Sequence, residues 1–159
     1  MKKKLTVLLL GAVLAIGAAI PASAAPFDPN MGSYDIEPMN NTPSNLLYIP
    51  DQKYGSHETF FGTMDYLYDL DYYAITSNVT GIHSVYFYPP DNQQYVVEVF
   101  DKEGFDQNEG RIATQFFNAE QPSYVNFQAT EGKAYIVRIR GINLTIDSMR
   151  VYHFSLFHY

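Results

Sequence analysis

Tyr124-Val125-Asn126-Phe127-Gln128-Ala129-Thr130-Glu131-Gly132-Lys133-Ala134-Tyr135-Ile136-Val137-Arg138-Ile139-Arg140 decides the fold class. Successive side chains of an extended chain point to opposite faces. Val125, Phe127 and Ala129 therefore share one face, with Asn126 and Gln128 on the other. After Glu131-Gly132-Lys133 the period resumes. Tyr135, Val137 and Ile139 face inward, and Arg138 and Arg140 face outward. Two alternating runs around a glycine turn read as a pair of half-buried strands joined by a hairpin.

The same period recurs on both sides of this stretch. Tyr95 to Phe100 places Tyr95, Val97 and Val99 together, and Arg150 to Tyr159 places Tyr152, Phe154 and Leu156 together. Leu46 to Ile49 and Glu58 to Met64 flank a turn at Asp51–Gly55. Tyr72 to Thr76, Ile82 to Tyr88 and Arg111 to Phe117 complete the set, with Pro89-Pro90-Asp91-Asn92 as a break. No helical period appears. Eight or nine short strands at even spacing predict an all-β, antiparallel, jelly-roll-like sandwich.

The chain's start reads differently. Lys2-Lys3-Lys4 precedes an uncharged apolar run from Leu5 to Ile20 and the small-residue site Ala22-Ser23-Ala24. That order predicts a secretory signal peptide of bacterial type over residues 1–24. Pro26, Pro29, Pro38 and Pro43 then mark an extended arm over 25–45, and the sandwich occupies 46–159. Removing the signal takes away three lysines and no acidic residue, so the net charge moves from −7 to −10. Such a surface disfavours nucleic acid and anionic lipid. A secreted domain of this size commonly relies on disulfides. With no cysteine, this one must rely on its core, rich in 14 Tyr and 11 Phe, or on a bound metal.

Oxygen donors gather in two places. Glu37, Asn40 and Asn41 lie in the arm, and Asp69 and Asp71 lie at the entry of a strand, two apart and so on one side. Calcium takes about 6–8 such oxygens. The same residue types also cap turns by bonding to nearby backbone, and the residues alone leave both uses open.

Five motifs, in order, carry a family resemblance. They are Glu37-Pro38-Met39-Asn40-Asn41-Thr42-Pro43, Asp69-Leu70-Asp71-Tyr72-Tyr73-Ala74-Ile75, Val97-Glu98-Val99-Phe100-Asp101, Gly132-Lys133-Ala134-Tyr135-Ile136-Val137-Arg138-Ile139 and Tyr152-His153-Phe154-Ser155-Leu156. From Asp35 to Tyr159 the chain resembles the bacterial pre-peptidase C-terminal domain, which is related to the collagen-binding domains of secreted collagenases. The resemblance implies a jelly-roll sandwich. It also implies a structural calcium ion held by Glu37, Asn40 or Asn41, Asp69 and Asp71. That family sits as an appendix on secreted hydrolases, whereas here the domain follows a signal peptide directly.

The remaining chemistry is sparse. G-x-S-x-G and H-E-x-x-H are absent. Glu98 is a lone carboxylate expected to face outward. His57, His83, His153 and His158 lack metal-ligand spacing and read as half-exposed strand histidines. Tyr86, Tyr88, Tyr124, Tyr159 and His153 are candidates for a flat binding face, because tyrosine joins an apolar ring to a polar tip. The expected function is a secreted, non-catalytic binding module for an extracellular polymer or protein, with calcium as a clasp. The alternatives are a folding or targeting accessory of secreted hydrolases and a small secreted enzyme.

Overall fold

The computed structural model describes residues 33–34, 40–56, 58–64, 68–105, 109–118, 122–142 and 151–159. The segment read as a signal peptide, 1–24, and Glu37, His57 and Arg150 lie outside the described residues. The strands in chain order are β1 (Ser33–Tyr34), β2 (Leu47–Tyr48), β3 (Phe60–Thr63), β4 (Leu70–Thr76), β5 (Gly81–Tyr88), β6 (Tyr95–Asp101), β7 (Arg111–Phe117), β8 (Ser123–Ala129), β9 (Ala134–Gly141) and β10 (Val151–His158). They form two five-stranded sheets, ordered β1-β3-β10-β5-β8 and β2-β4-β9-β6-β7. Neighbours pair antiparallel except at the two-residue strands β1 and β2, which run parallel to β3 and β4. From β3 onward the chain changes sheet at every step except β6 to β7, which pair within the second sheet, and this is the jelly-roll interleaving.

Each alternating run buries the face expected of it. Tyr95, Val97, Val99, Val125, Phe127, Ala129, Tyr135, Val137, Ile139, Tyr152, Phe154 and Leu156 all join one core between the sheets. Fully burying a side chain of this kind stabilises by about 1.5–3 kcal/mol. The turn at Glu131-Gly132-Lys133 forms, with Gly132 at φ 78°, but it does not make a hairpin. β8 pairs with β5, whereas β9 pairs with β4 and β6 in the opposite sheet. Alternation specifies which face of a strand is buried and is silent about its hydrogen-bonding neighbour. The segment read as an arm contributes β1 to the first sheet and a buried Asn40.

A polar chain crosses the core. Tyr152 on β10 donates from its hydroxyl to Asp71 Oδ2 on β4 at 2.5 Å and lies 2.6 Å from the Tyr73 hydroxyl. With the Tyr152 proton directed at Asp71, its oxygen accepts from Tyr73. Gly62 on β3 pairs with Tyr152 and leaves room for its ring. A Cβ on Gly62 would overlap the end of the Tyr152 ring and come within 2.8 Å of the Tyr73 hydroxyl.

The outer face of the second sheet is covered over its middle strands, while Phe116 on β7 and Tyr48 on β2 stay exposed at its edges. Tyr72, Phe100 and Ile136 form a small cluster there with Leu46, Leu70 and Phe105. Glu98 faces outward as expected, yet it is buried. Its Oε1 accepts from Arg111 Nη1 at 2.9 Å, and its Oε2 takes Arg138 Nε at 2.9 Å and Nη2 at 2.8 Å and Arg140 Nε at 3.4 Å. Arg138 also lies over the Phe100 ring at 4.8 Å. Burial pushes the Glu98 carboxyl up, but the hydrogen bonds from Arg111 and Arg138 and the charges of Arg138 and Arg140 outweigh it. Glu98 is therefore held below the usual carboxylate range.

Two outcomes follow for stability. Gly62→Ala should destabilise by about 3 kcal/mol, because Tyr152 is pinned by both hydroxyl contacts and cannot yield; urea denaturation measures this. Glu98→Gln should lose stability near neutral pH, and Glu98→Ala more, by about 3 kcal/mol, because Arg138 is left buried without its partner. A depressed carboxyl adds stability that is fully present above its unfolded pKa of about 4.3 and is lost as pH falls through the folded value. The gap between the parent and Glu98→Gln in urea melts should therefore narrow as pH drops below about 4.

Candidate functional site

The outer face of the first sheet carries a continuous row of rings. Strand parity selects them: Phe61 on β3, His153 and Phe157 on β10, Tyr86 and Tyr88 on β5, and Tyr124 on β8. Register then brings them side by side, pairing His153 with both Phe61 and Tyr88, and Tyr86 with Tyr124. Ring centroids lie 5.6 Å apart for Phe61–His153, 4.3 Å for His153–Tyr88, 4.5 Å for Tyr88–Tyr86 and 4.4 Å for Tyr86–Tyr124. The row turns through Phe157, 6.4 Å from Tyr124, to Tyr159 and Tyr54, which stack at 5.2 Å. Tyr54, Tyr124 and Tyr159 are 55%, 43% and 68% exposed. Ser84 and Ser155 share this face and are buried, so the rings close over the small side chains between them.

Among the described residues, the row of rings has no acidic or basic member other than His153. Burial pushes the His153 imidazole below its ordinary range, which keeps it neutral. The Tyr86 hydroxyl is pushed up by its hydrogen bond with Tyr88 and by burial. Tyr124 is pushed up by partial desolvation and by the neighbouring phenols of Tyr86, Tyr159 and Tyr54. The Tyr86 and Tyr124 tips therefore remain neutral hydroxyls able to donate and to accept. All five residues expected to form a flat face lie in this row; Phe61, Phe157 and Tyr54 complete it.

Asn40, Asn41, Asp69 and Asp71 lie about the start of β4. The Tyr72 amide donates to the Asn40 carbonyl at 2.9 Å, which fastens Asn40 beside Asp71. Asn40, Asp69 and Asp71 are buried. Asp69 Oδ1 accepts from the Leu70 amide at 3.0 Å, and Asp71 shares the inward parity of Tyr73 and Ile75. Among the described residues, neither atom of the Asn40 amide has a hydrogen-bond partner, and neither does Asn41 Oδ1. A buried amide without partners costs free energy, and a cation beside the two carboxylates would satisfy its carbonyl oxygen. The residues present thus fit a hard, oxygen-liking ion.

A third cluster joins residues distant in sequence. Asp51 Oδ1 lies 2.9 Å from His158 Nδ1 and 3.2 Å from His83 Nε2. The Asp51 and His83 side chains are fully buried, and that of His158 is 13% exposed. His83 is thus a correction to the half-exposed histidines expected from sequence. Parity places it with Val85 and Phe87, and places His158 with Leu156, on the inner face. Their register then puts them directly opposite each other. The parity was legible in the sequence, but the pairing of β5 with β10 was not. Burial pushes the Asp51 carboxyl up, but hydrogen bonds from the Asn78 amide, His158 and His83 overcome this and hold it below the usual range.

No protein-family model and no curated protein matches the chain. Solved structures do match. The surface-associated copper-binding protein CorA, important in copper acquisition by Methylomicrobium album BG8, aligns over 72% of this chain and 98% of its own, at 8% identity and a TM-score of 0.50. The pre-peptidase C-terminal domain of collagenase from Bacillus anthracis aligns over 74% and 99%, at 16% identity and a TM-score of 0.48. PliG, a periplasmic inhibitor of g-type lysozyme from Aeromonas hydrophila, aligns over 70% and 95%, at 11% identity and a TM-score of 0.45. At such identities the likeness is one of fold. The family expected from the five motifs is represented among these structures.

Proposed function

We propose that the protein is a secreted, non-catalytic binding module that docks an extracellular polymer on the aromatic face of its first sheet. The row from Phe61 through His153, Tyr88 and Tyr86 to Tyr124 carries this reading. Neutral rings stacked and tilted against one another by strand register form a rigid surface. They lose little side-chain freedom on binding, and their hydroxyl tips provide hydrogen bonds. A polymer whose repeat exposes apolar ring faces, of sugar or of proline, fits such a face. An acidic protein without a basic stripe at this row has no means of gripping a polyanion there. Glu98, expected as a lone outward carboxylate, is engaged by arginines rather than presented to a substrate.

We also propose calcium as a structural clasp. Asn40, Asn41, Asp69 and Asp71 supply the oxygens, with Glu37 as the further ligand that the family resemblance implies. The ion would tie the segment before β2 to the entry of β4. The unpartnered Asn40 amide supports this reading.

The polymer proposal is tested by co-sedimentation with insoluble cell wall, chitin and collagen. At least one should retain the protein, and Tyr86→Ala and Tyr124→Ala should each weaken retention about tenfold, the equivalent of about 1.4 kcal/mol for one stacked ring. Absence of retention across the panel, or retention indifferent to both substitutions, rules the proposal out. The calcium proposal is tested by melting. Calcium at about 100 times its Kd adds about 2.7 kcal/mol, so Tm should rise by several degrees and return with chelator. Asn40→Ala should lose that response. A parent protein whose Tm ignores millimolar calcium sinks the clasp.

A further inference from the structure

We propose that Asp51, His83 and His158 form a binding site for a divalent first-row transition-metal ion of the zinc and copper class. The site is separate from the oxygen cluster around Asp71 and does not depend on the polymer reading. His83 Nε2, His158 Nδ1 and a carboxylate oxygen of Asp51 all lie within 4.8 Å of one another. Such an ion takes imidazole nitrogen at about 2.0–2.1 Å and carboxylate oxygen at about 2.0–2.2 Å, so neighbouring ligand atoms stand roughly 3–3.4 Å apart around it. The separation of 3.2 Å from Asp51 Oδ1 to His83 Nε2 lies within that range, and that of 2.9 Å to His158 Nδ1 falls just short of it.

The groups behind the ligands suit the same purpose. The Gly81 carbonyl stands 3.4 Å from His83 Nδ1 and can take its proton, which leaves the Nε2 lone pair for a metal. Asp51 Oδ2 accepts from the Asn78 amide at 2.6 Å, which leaves Oδ1 turned toward the imidazoles. Ser77 Oγ donates to the Val79 carbonyl at 2.6 Å and lies 3.1 Å from His83 Nε2; it accepts from that nitrogen only in the ion-free tautomer. Of the three side chains only that of His158 reaches solvent, which marks the entry side. Two imidazoles and one carboxylate suit zinc, copper, nickel or cobalt ions, whereas calcium and magnesium prefer sites made of oxygen alone.

The placement also has a structural consequence. The loop after β2 lies along the end of β10: the His158 amide donates to the Gln52 carbonyl and the Tyr54 amide to the His158 carbonyl, both at 2.8 Å. An ion at Asp51 would clamp this loop to β5 and β10 at once. Without an ion, the same three side chains make a hydrogen-bonded triad, and the experiment must separate the two states.

The untagged chain, stripped with chelator, is titrated with zinc by calorimetry and with cobalt by visible absorption. One equivalent should bind, Tm should rise, and cobalt should develop the bands of a low-symmetry site with nitrogen ligands. Asp51→Asn, which keeps the shape, and His158→Ala should each weaken zinc binding about 100-fold or more, beyond the 10–100-fold typical of losing an outer contact. His153→Ala and Asn40→Ala should leave it unchanged, and excess calcium should not compete. In the parent protein, the electron paramagnetic resonance spectrum of one equivalent of copper should show coupling to imidazole nitrogen; this readout does not depend on any variant folding. No stoichiometric zinc or cobalt binding, binding unchanged in both Asp51→Asn and His158→Ala, or a copper spectrum without nitrogen coupling overturns the proposal and leaves a hydrogen-bonded triad.

Discussion

The hydroxyl chain from Tyr73 through Tyr152 to Asp71 is the constraint on which the rest of the structure depends. It joins β4 of one sheet to β10 of the other across the core between them. A buried carboxyl must find donors, and here a donor comes from the opposite layer, so the two sheets are held in one relative position. Gly62 is small because the Tyr152 ring occupies the space that a side chain would need. Tyr95 feels the same carboxylate: burial, and then the charge of Asp71, push its hydroxyl far up, and it donates to Gln93 Oε1 at 2.7 Å. Once Asp71 is positioned by the core, the start of β4 is positioned with it, and Asn40 is held there by the Tyr72 amide.

The two outer faces solve the same problem in different ways. A sheet with one face in the core has a second face to cover or to use. The second sheet covers the middle of its own with Tyr72, Phe100 and Ile136, and with Glu98 beneath its arginines, and leaves single rings, Phe116 and Tyr48, at its edges. The first sheet leaves aromatic rings exposed, packed against one another rather than against another layer. Contiguous rings on an acidic, otherwise polar surface are costly to leave wet, and contact with a partner relieves that cost. The asymmetry between the faces gives the polymer reading its direction.

The cluster of Asp51, His83 and His158 stands at the end of the inner face, where the apolar rows of β5 and β10 run out. Two histidines continue those rows into the sandwich, and a loop from the opposite side of the sequence supplies the carboxylate. It is a different chemistry from the oxygen donors at β4. The fold therefore holds two candidate ion sites with separate preferences, neither of which draws on the aromatic row.

Strand period determined most of the architecture from sequence alone. Val125, Phe127 and Ala129, Tyr135, Val137 and Ile139, and Tyr152, Phe154 and Leu156 went to the core because side-chain direction in an extended chain is a local property, set by backbone geometry. The outward tyrosines Tyr86, Tyr88 and Tyr124 were legible for the same reason. What lay beyond reach was partnership. That β8 and β9 part to different sheets, that Glu98 lies under Arg111 and Arg138, and that His83 faces His158 above Asp51 are all consequences of which strands become neighbours. Strand neighbours are chosen by the summed packing of the whole core across long sequence separations, and no local pattern encodes that sum. The sequence by itself determined which faces are apolar and which residue types are available. Only the tertiary structure decided which of them meet.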